Sequence, residues 1–246
     1  MALRLVYRSQ LGTSPLFAQP IMDELYHDQW ARAVVEGRSF IEGPYFRAPL
    51  YPYFLAAVYA VFGHGYVVPQ VAQCLIGSAS CGLVFLIGRQ AFGRTVGAVA
   101  GFAAASYWML IYFDNELLLP VLDVFFDLLL IGQLLPAART PGLWTDLMAG
   151  LFLGLSAIVR PNALLFVPAV LTWVAVSDRA EWKRRLSHAA CFWAGCALPI
   201  LPVTSRNYLR GGDRVLIASQ GGVNFYIGNN PRSDGMTAIV PDTPGD

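Results

Sequence analysis

Apolar residues along the chain fall into long runs separated by short polar turns. The clearest runs cover residues 67–88, 95–111, 117–135, 143–159, 162–177 and 187–203. A helix that crosses a bilayer needs about 20 mostly apolar residues. Glycine and proline interrupt several of these runs, which membrane helices tolerate where neighbouring helices cover the freed backbone groups. A shorter run, 49–62, contains Pro52 and several tyrosines. Its length and aromatics suit an interfacial or re-entrant helix. The pattern predicts an all-α chain: a polytopic transmembrane helical bundle with about six full spans, plus interfacial helices in a long first external loop. Its expected divisions are a first external loop over 12–48, the interfacial helix over 49–62, spans within 67–203 and a second external loop over 204–246. Together these make one module, 1–246. Residues 1–7 are apolar but too short to span, and 241–246 end in a Pro/Gly/Asp stretch. Both ends are therefore expected to be incomplete.

Composition supports this reading. Hydrophobic residues make up 56% of the chain and charged residues 13%, with mean hydropathy +0.50. Soluble domains carry about 25% charge. The deficit excludes a disordered tail, a nucleic-acid-binding domain and an ordinary soluble enzyme. The net charge of +1 provides no long-range field. Distribution is more informative than the total. Arg89 and Arg94, then Arg139, then Arg179, Lys183, Arg184 and Arg185 fall in three short loops, seven of the seventeen basic residues. Positive charge marks cytoplasmic loops. The expectation is a multi-pass protein of the inner (plasma) membrane whose opposite, extracytoplasmic face is active. Cys74, Cys81, Cys191 and Cys196 lie within apolar runs and read as small buried residues.

Four polar clusters fall on that outer side. Asp23 and Glu24 lie beside Tyr26, His27, Asp28 and Trp30, and on a helix Asp23, Tyr26, His27 and Trp30 share one face. The two carboxylates also suit a plain helix start. Arg47 sits among prolines and aromatics where the first loop meets the 49–62 run. It serves either lipid headgroups or a bidentate clamp on phosphate. Asp114 and Glu116 follow, with Asp123 and Asp127 inside the next apolar run. Intramembrane carboxylates face a partner or a polar pathway. The last cluster pairs Arg160-Pro161-Asn162 with Arg206-Asn207-Tyr208, ahead of a Gly/Asn/aromatic segment at 221–230 that contains Asn224. Such a segment lines a sugar or lipid site, or forms tight turns.

Carboxylates and arginines gathered at an interface suit sugar transfer from a lipid-linked phosphate. A carboxylate takes the acceptor's proton and a cation holds the departing phosphate. A glycosidase would need an acid and base paired across the bond.

The ordered set Asp23-Glu24, then 45–50 (Tyr-Phe-Arg-Ala-Pro-Leu), then Arg160-Pro161-Asn162, then 221–230 resembles the bacterial GT-C glycosyltransferases. Within them it is most similar to glycosyltransferase family 39, the relatives of protein O-mannosyltransferases and lipid A aminoarabinose transferase. The resemblance implies that Asp23 is the base of an inverting transfer, that Glu24 supports it and that Arg47 contacts the donor phosphate. Asp114 and Glu116 fall where a second external acidic group is expected. Tyr26 and His27 stand where some relatives carry an arginine, so Arg160 or Arg206 would supply that phosphate contact, with Asn224 on the substrate side. The implied donor is a polyprenyl-phosphate sugar, and the implied acceptor is an extracytoplasmic protein, lipid or glycan. Membrane lipid is the other partner, and nucleic acid is not one. No cofactor is required; the carboxylates permit a divalent cation, but no ligand spacing demands a metal. Two rivals are a transporter or flippase using Asp123 and Asp127, and a truncated noncatalytic remnant.

Overall fold

The computed structural model describes residues 1–12, 19–137, 142–177, 182–233, 235–236 and 240. Every element among them is helical: α1 Ala2–Leu11, α2 Met22–Val35, α3 Leu50–Phe62, α4 Val67–Phe92, α5 Arg94–Ser106, α6 Trp108–Phe113, α7 Pro120–Ala137, α8 Leu143–Val159, α9 Val167–Ser177, α10 Trp182–Gly211 and α11 Gln220–Asn229. A 3₁₀ turn, Pro161–Phe166, precedes α9. Arg139, Arg179 and residues 241–246 lie outside the described residues.

Among the described residues, two helices, Val67–Phe92 and Trp182–Gly211, are long and apolar enough to cross a membrane. The expectation of about six full spans is therefore met only in its coarser form, a helical membrane architecture. The other runs are shorter or broken for local reasons. The 95–111 run stops at Tyr107, whose backbone is extended (φ −70°, ψ 114°). Just before it, the Ser106 hydroxyl donates to the carbonyls of Phe102 (2.9 Å) and Ala103 (3.2 Å). Side-chain bonding of this kind competes with helix continuation. Residues 161–166 wind as a 3₁₀ turn that starts on Pro161. Proline is preorganised for the first helical position.

The last run extends well past its expected end. α10 continues to Gly211 through Pro199 and Pro202. Residues 220–229, read as loop from their Gly/Asn content, form α11. The start of α11 is stabilised from afar: Ser219 N–H donates to Tyr45 O (2.9 Å) and Gln220 N–H to Phe46 O (3.0 Å). Helix starts carry such unpaired donors, and here the first loop accepts from them.

Two cores hold the bundle. One packs Leu130, Leu153, Ala157, Phe192, Cys196 and Ile200 between α7, α8 and α10. Its α8–α10 seam is backbone against backbone. A Cβ on Gly150 would lie 2.0 Å from Phe192 O, and one on Gly154 2.4 Å from Cys196 O. Small residues four apart permit this approach in membrane helices. The other core packs Ala31 of α2, Tyr51, Leu55 and Tyr59 of α3, and Leu117, Val121 and Leu122 at the start of α7. It seats α2 on the bundle and so positions the first polar cluster.

Candidate active site

α2 begins with Asp23 and Glu24 in its first turn. Carboxylates are favoured there by the unpaired amides and the helix dipole. Their side chains point to different partners. Asp23 stays open to solvent, 56% exposed, and its Oδ1 pairs with Arg47 Nη1 at 2.7 Å. The Arg47 guanidinium also lies 4.9 Å from the Tyr26 ring centre. Burial raises the Tyr26 hydroxyl above its ordinary pKa, and the nearby Arg47 charge offsets part of that rise.

Glu24 turns inward. Its Oε1 accepts the Leu117 N–H at 3.0 Å. One residue turn along, His27 Nδ1 donates to the Leu117 carbonyl at 3.1 Å. Both polar groups around Leu117 are thus held by α2. His27 is buried, and burial lowers its pKa. A neutral ring with its proton on Nδ1 meets that carbonyl.

Glu116 completes the group. Burial, followed by a hydrogen bond and like charge from Glu24, pushes its carboxyl up to about 8. Two carboxyls in contact cannot both ionise cheaply, so one proton stays between them near neutral pH. Residues 114–116 are tied to α4: Gln70 Nε2 donates to Asn115 O (2.9 Å), and Gln73 Nε2 to Glu116 O (2.7 Å) and Asp114 O (3.2 Å). A cavity of about 560 Å³ opens over this arrangement, lined by Asp23, Glu24, Glu116, Tyr66, Tyr112 and Leu118 among others.

The remaining sequence candidates lie elsewhere. Asp114 turns away from the cavity into the bundle, where its Oδ2 pairs with the buried Arg4 Nε. Burial pushes Asp114 up to about 6, with Arg4 opposing the rise. Arg160 Nε pairs with Asp123 Oδ2 at 3.3 Å. Asp127 Oδ1 accepts the Ser156 hydroxyl at 2.7 Å. Both intramembrane aspartates that motivated a transport pathway therefore have local partners. Arg206 donates to Gly43 O (2.6 Å) and Ile41 O (2.7 Å) and lies 4.0 Å over the Tyr45 ring, so it holds the first loop. Asn224 is exposed on α11. Among the described residues, no three His, Cys, Asp or Glu side chains converge to hold a metal.

Arg4, Gln70, Gln73, Tyr66 and Tyr112 were not singled out from sequence. The two glutamines did carry a signal, as amides three apart inside an otherwise apolar run. Arg4 carried none, because its partner is 110 residues away.

The family model for dolichyl-phosphate-mannose-protein mannosyltransferase matches residues 46–205, about two thirds of the chain. The chain belongs to that mannosyltransferase family. Membership makes it a membrane glycosyltransferase of the GT-C type. The mannosyltransferase match includes Arg47, Asp114, Glu116 and Arg160, while Asp23, Glu24, Arg206 and Asn224 fall outside it. Comparison with curated proteins and with solved structures found no match.

Proposed function

We propose that this mannosyltransferase-family protein transfers a sugar from a polyprenyl-phosphate donor to an extracytoplasmic acceptor with inversion, Asp23 acting as base. The observation that carries the reading is the Asp23–Arg47 ion pair beside a cavity also lined by Glu24 and Glu116. A carboxylate held by a guanidinium is a weak base, and a guanidinium held by a carboxylate is a spent phosphate clamp. The donor phosphate resolves both. It takes Arg47 in the bidentate geometry that guanidinium groups favour. Asp23 is then released to accept a proton.

In the transfer, the acceptor oxygen bonds to the anomeric carbon as its proton passes to Asp23. The bond from that carbon to the phosphate oxygen breaks, and the lipid phosphate leaves with its charge on Arg47. No general acid is needed, because phosphate is already a competent leaving group. Glu24 and Glu116 line the same cavity as a carboxyl pair that holds α2 on residues 114–117. We assign the cavity to the extracytoplasmic face of the inner membrane, on the strength of the arginine-rich loops at 88–96 and 177–187.

The test is sugar transfer by the full chain in lipid nanodiscs, with polyprenyl-phosphate mannose as donor and mass spectrometry of the products. Asp23→Asn should lower turnover at least 100-fold, in line with loss of a general base. Retained turnover in a folded Asp23→Asn protein refutes the assignment.

A further inference from the structure

A second concavity lies farther along the same helix. Asp23 and Trp30 are seven residues apart on one face of α2, about 10 Å along its axis. The concavity holds about 410 Å³, and its lining includes Trp30, Phe40, Tyr45, Arg38, Arg206 and Arg210. We propose that this pocket binds the phosphate of an anionic membrane lipid, at a site separate from the sugar-transfer cavity and independent of that reading.

Its walls are aromatic and fixed. Trp30 stacks on Phe40 at 5.9 Å and 14°, and the Tyr45 and Tyr53 hydroxyls bond each other at 2.8 Å. Its charge is cationic. Arg206 spends one N–H on each of two carbonyls and keeps the others. Arg210 forms no ion pair or hydrogen bond among the described residues. Arg38 is paired with Glu36, so the unspent charge of the pocket rests on Arg206 and Arg210. An adjoining hollow of about 280 Å³ shares Arg38 and Phe40 and adds Arg32.

A lipid fits better than a soluble phosphate because of what lies beside the arginines. Arg206 and Arg210 occupy the end of α10, one of the two helices long enough to span. Leu198, Leu201 and Leu209 lie along one side of that helix and are 66%, 58% and 80% exposed. Acyl chains would cover that stripe while the phosphate meets the arginines at headgroup level. Aromatic rings and basic residues at a span end are suited to this interface.

The experiment uses the full chain, delipidated in detergent and re-supplied with phosphatidylglycerol, phosphatidylcholine or polyprenyl phosphate, with bound lipid counted by native mass spectrometry. Wild type should retain one more phosphatidylglycerol than phosphatidylcholine at this site. The exposed pair Arg38→Gln/Arg210→Gln should weaken that binding at least about fivefold, the share of the unpaired Arg210. Arg210→Lys should keep most of it. Equal phosphatidylglycerol retention by wild type and the double variant overturns the proposal. So does displacement of the bound lipid by millimolar inorganic phosphate, which would mark a soluble-anion site. Loss of polyprenyl phosphate rather than phosphatidylglycerol in the double variant also overturns it, and would assign the pocket to the donor.

Discussion

The Glu24–Glu116 pair gives the protein a measurable alkaline weakness. Glu116 is raised from an ordinary 4.5 to about 8 by burial and by Glu24. The folded state therefore binds a proton that the unfolded chain has already released at neutral pH. Stability from this group is complete below pH 4.5 and is lost as pH rises through 8. Between pH 6.5 and 9 the linkage amounts to about 2 kcal/mol before screening. Glu116 is only partly buried, and solvent screening reduces this to about 1 kcal/mol. For a chain of this size that is about 2–4 °C in melting temperature. The window is centred on Glu116, and comparison with the Glu116→Gln variant removes what other groups contribute. Asp114, raised to about 6, has mostly titrated below it. His27 is depressed below 6.5, so the unfolded ring's last proton adds a small opposite slope at the low end of the window, and that slope is common to wild type and the Glu116→Gln variant. The nearby Tyr66 hydroxyl is raised from 10.0 and stays protonated throughout. Glu116→Gln keeps a donor for Glu24 but cannot ionise. Thermal melts in nanodiscs should show the wild type falling between pH 6.5 and 9 and the Gln variant nearly flat. A wild type as stable at pH 9 as at 6.5, or a Gln variant with the same slope, refutes the shared proton.

Other expectations follow from the same geometry. Arg47→Lys should raise KM for a polyprenyl-phosphate donor about tenfold or more, because a point charge replaces a bidentate fork; an unchanged KM in a donor titration counts against the phosphate role. Asp114→Asn leaves the buried Arg4 unpaired and should destabilise by about 3–5 kcal/mol, seen as a melting temperature well below that of the Arg4→Met/Asp114→Asn double variant. Gly154→Leu forces a side chain into Cys196 O and Pro199; it should cost at least about 1–3 kcal/mol, and a melt within 1 °C of wild type would contradict the close seam. The Asp123–Arg160 pair is half open on the arginine side, so a double-mutant cycle should return no more than about 1 kcal/mol.

Much of the helical layout was legible because apolar runs and helices share boundaries where nothing distant intervenes. α3, α7 and α8 match their runs closely. Departures occur where remote groups decide. The 221–229 segment carries three glycines and reads as loop, yet carbonyls of Tyr45 and Phe46 satisfy the amides at its start. Tyr107 breaks a run whose composition shows only a modest polar signal at Ser106. Within the site, the i, i+3, i+4 spacing placed Asp23, Tyr26, His27 and Trp30 on one face from sequence alone. Spacing could not reveal that Glu24 and His27 grip the N–H and the C=O of one residue, Leu117, 90 or more residues away. Nor could it separate Glu116, which faces the cavity, from Asp114, which faces Arg4. Both are acidic residues of one turn, and only the packing against α4 tells them apart.

The segment that carries Arg47 hangs from the end of α10. Asn207 Oδ1 accepts the Tyr45 N–H at 2.9 Å, its amide donates to Ile217 O at 3.0 Å, and Arg206 holds Ile41 and Gly43. Asn207 is fully buried, so this suspension has little slack. α10 has 30 residues, but its apolar run, 187–203, is slightly shorter than the ~20 residues a bilayer requires, and such a helix is accommodated by local thinning of the bilayer around it. A displacement of that helix end would reach Arg47 through two residues, and from there the carboxylate of Asp23. Membrane thickness thereby becomes a mechanical input to the ion pair, and lipids of different chain length should tune the site without touching it.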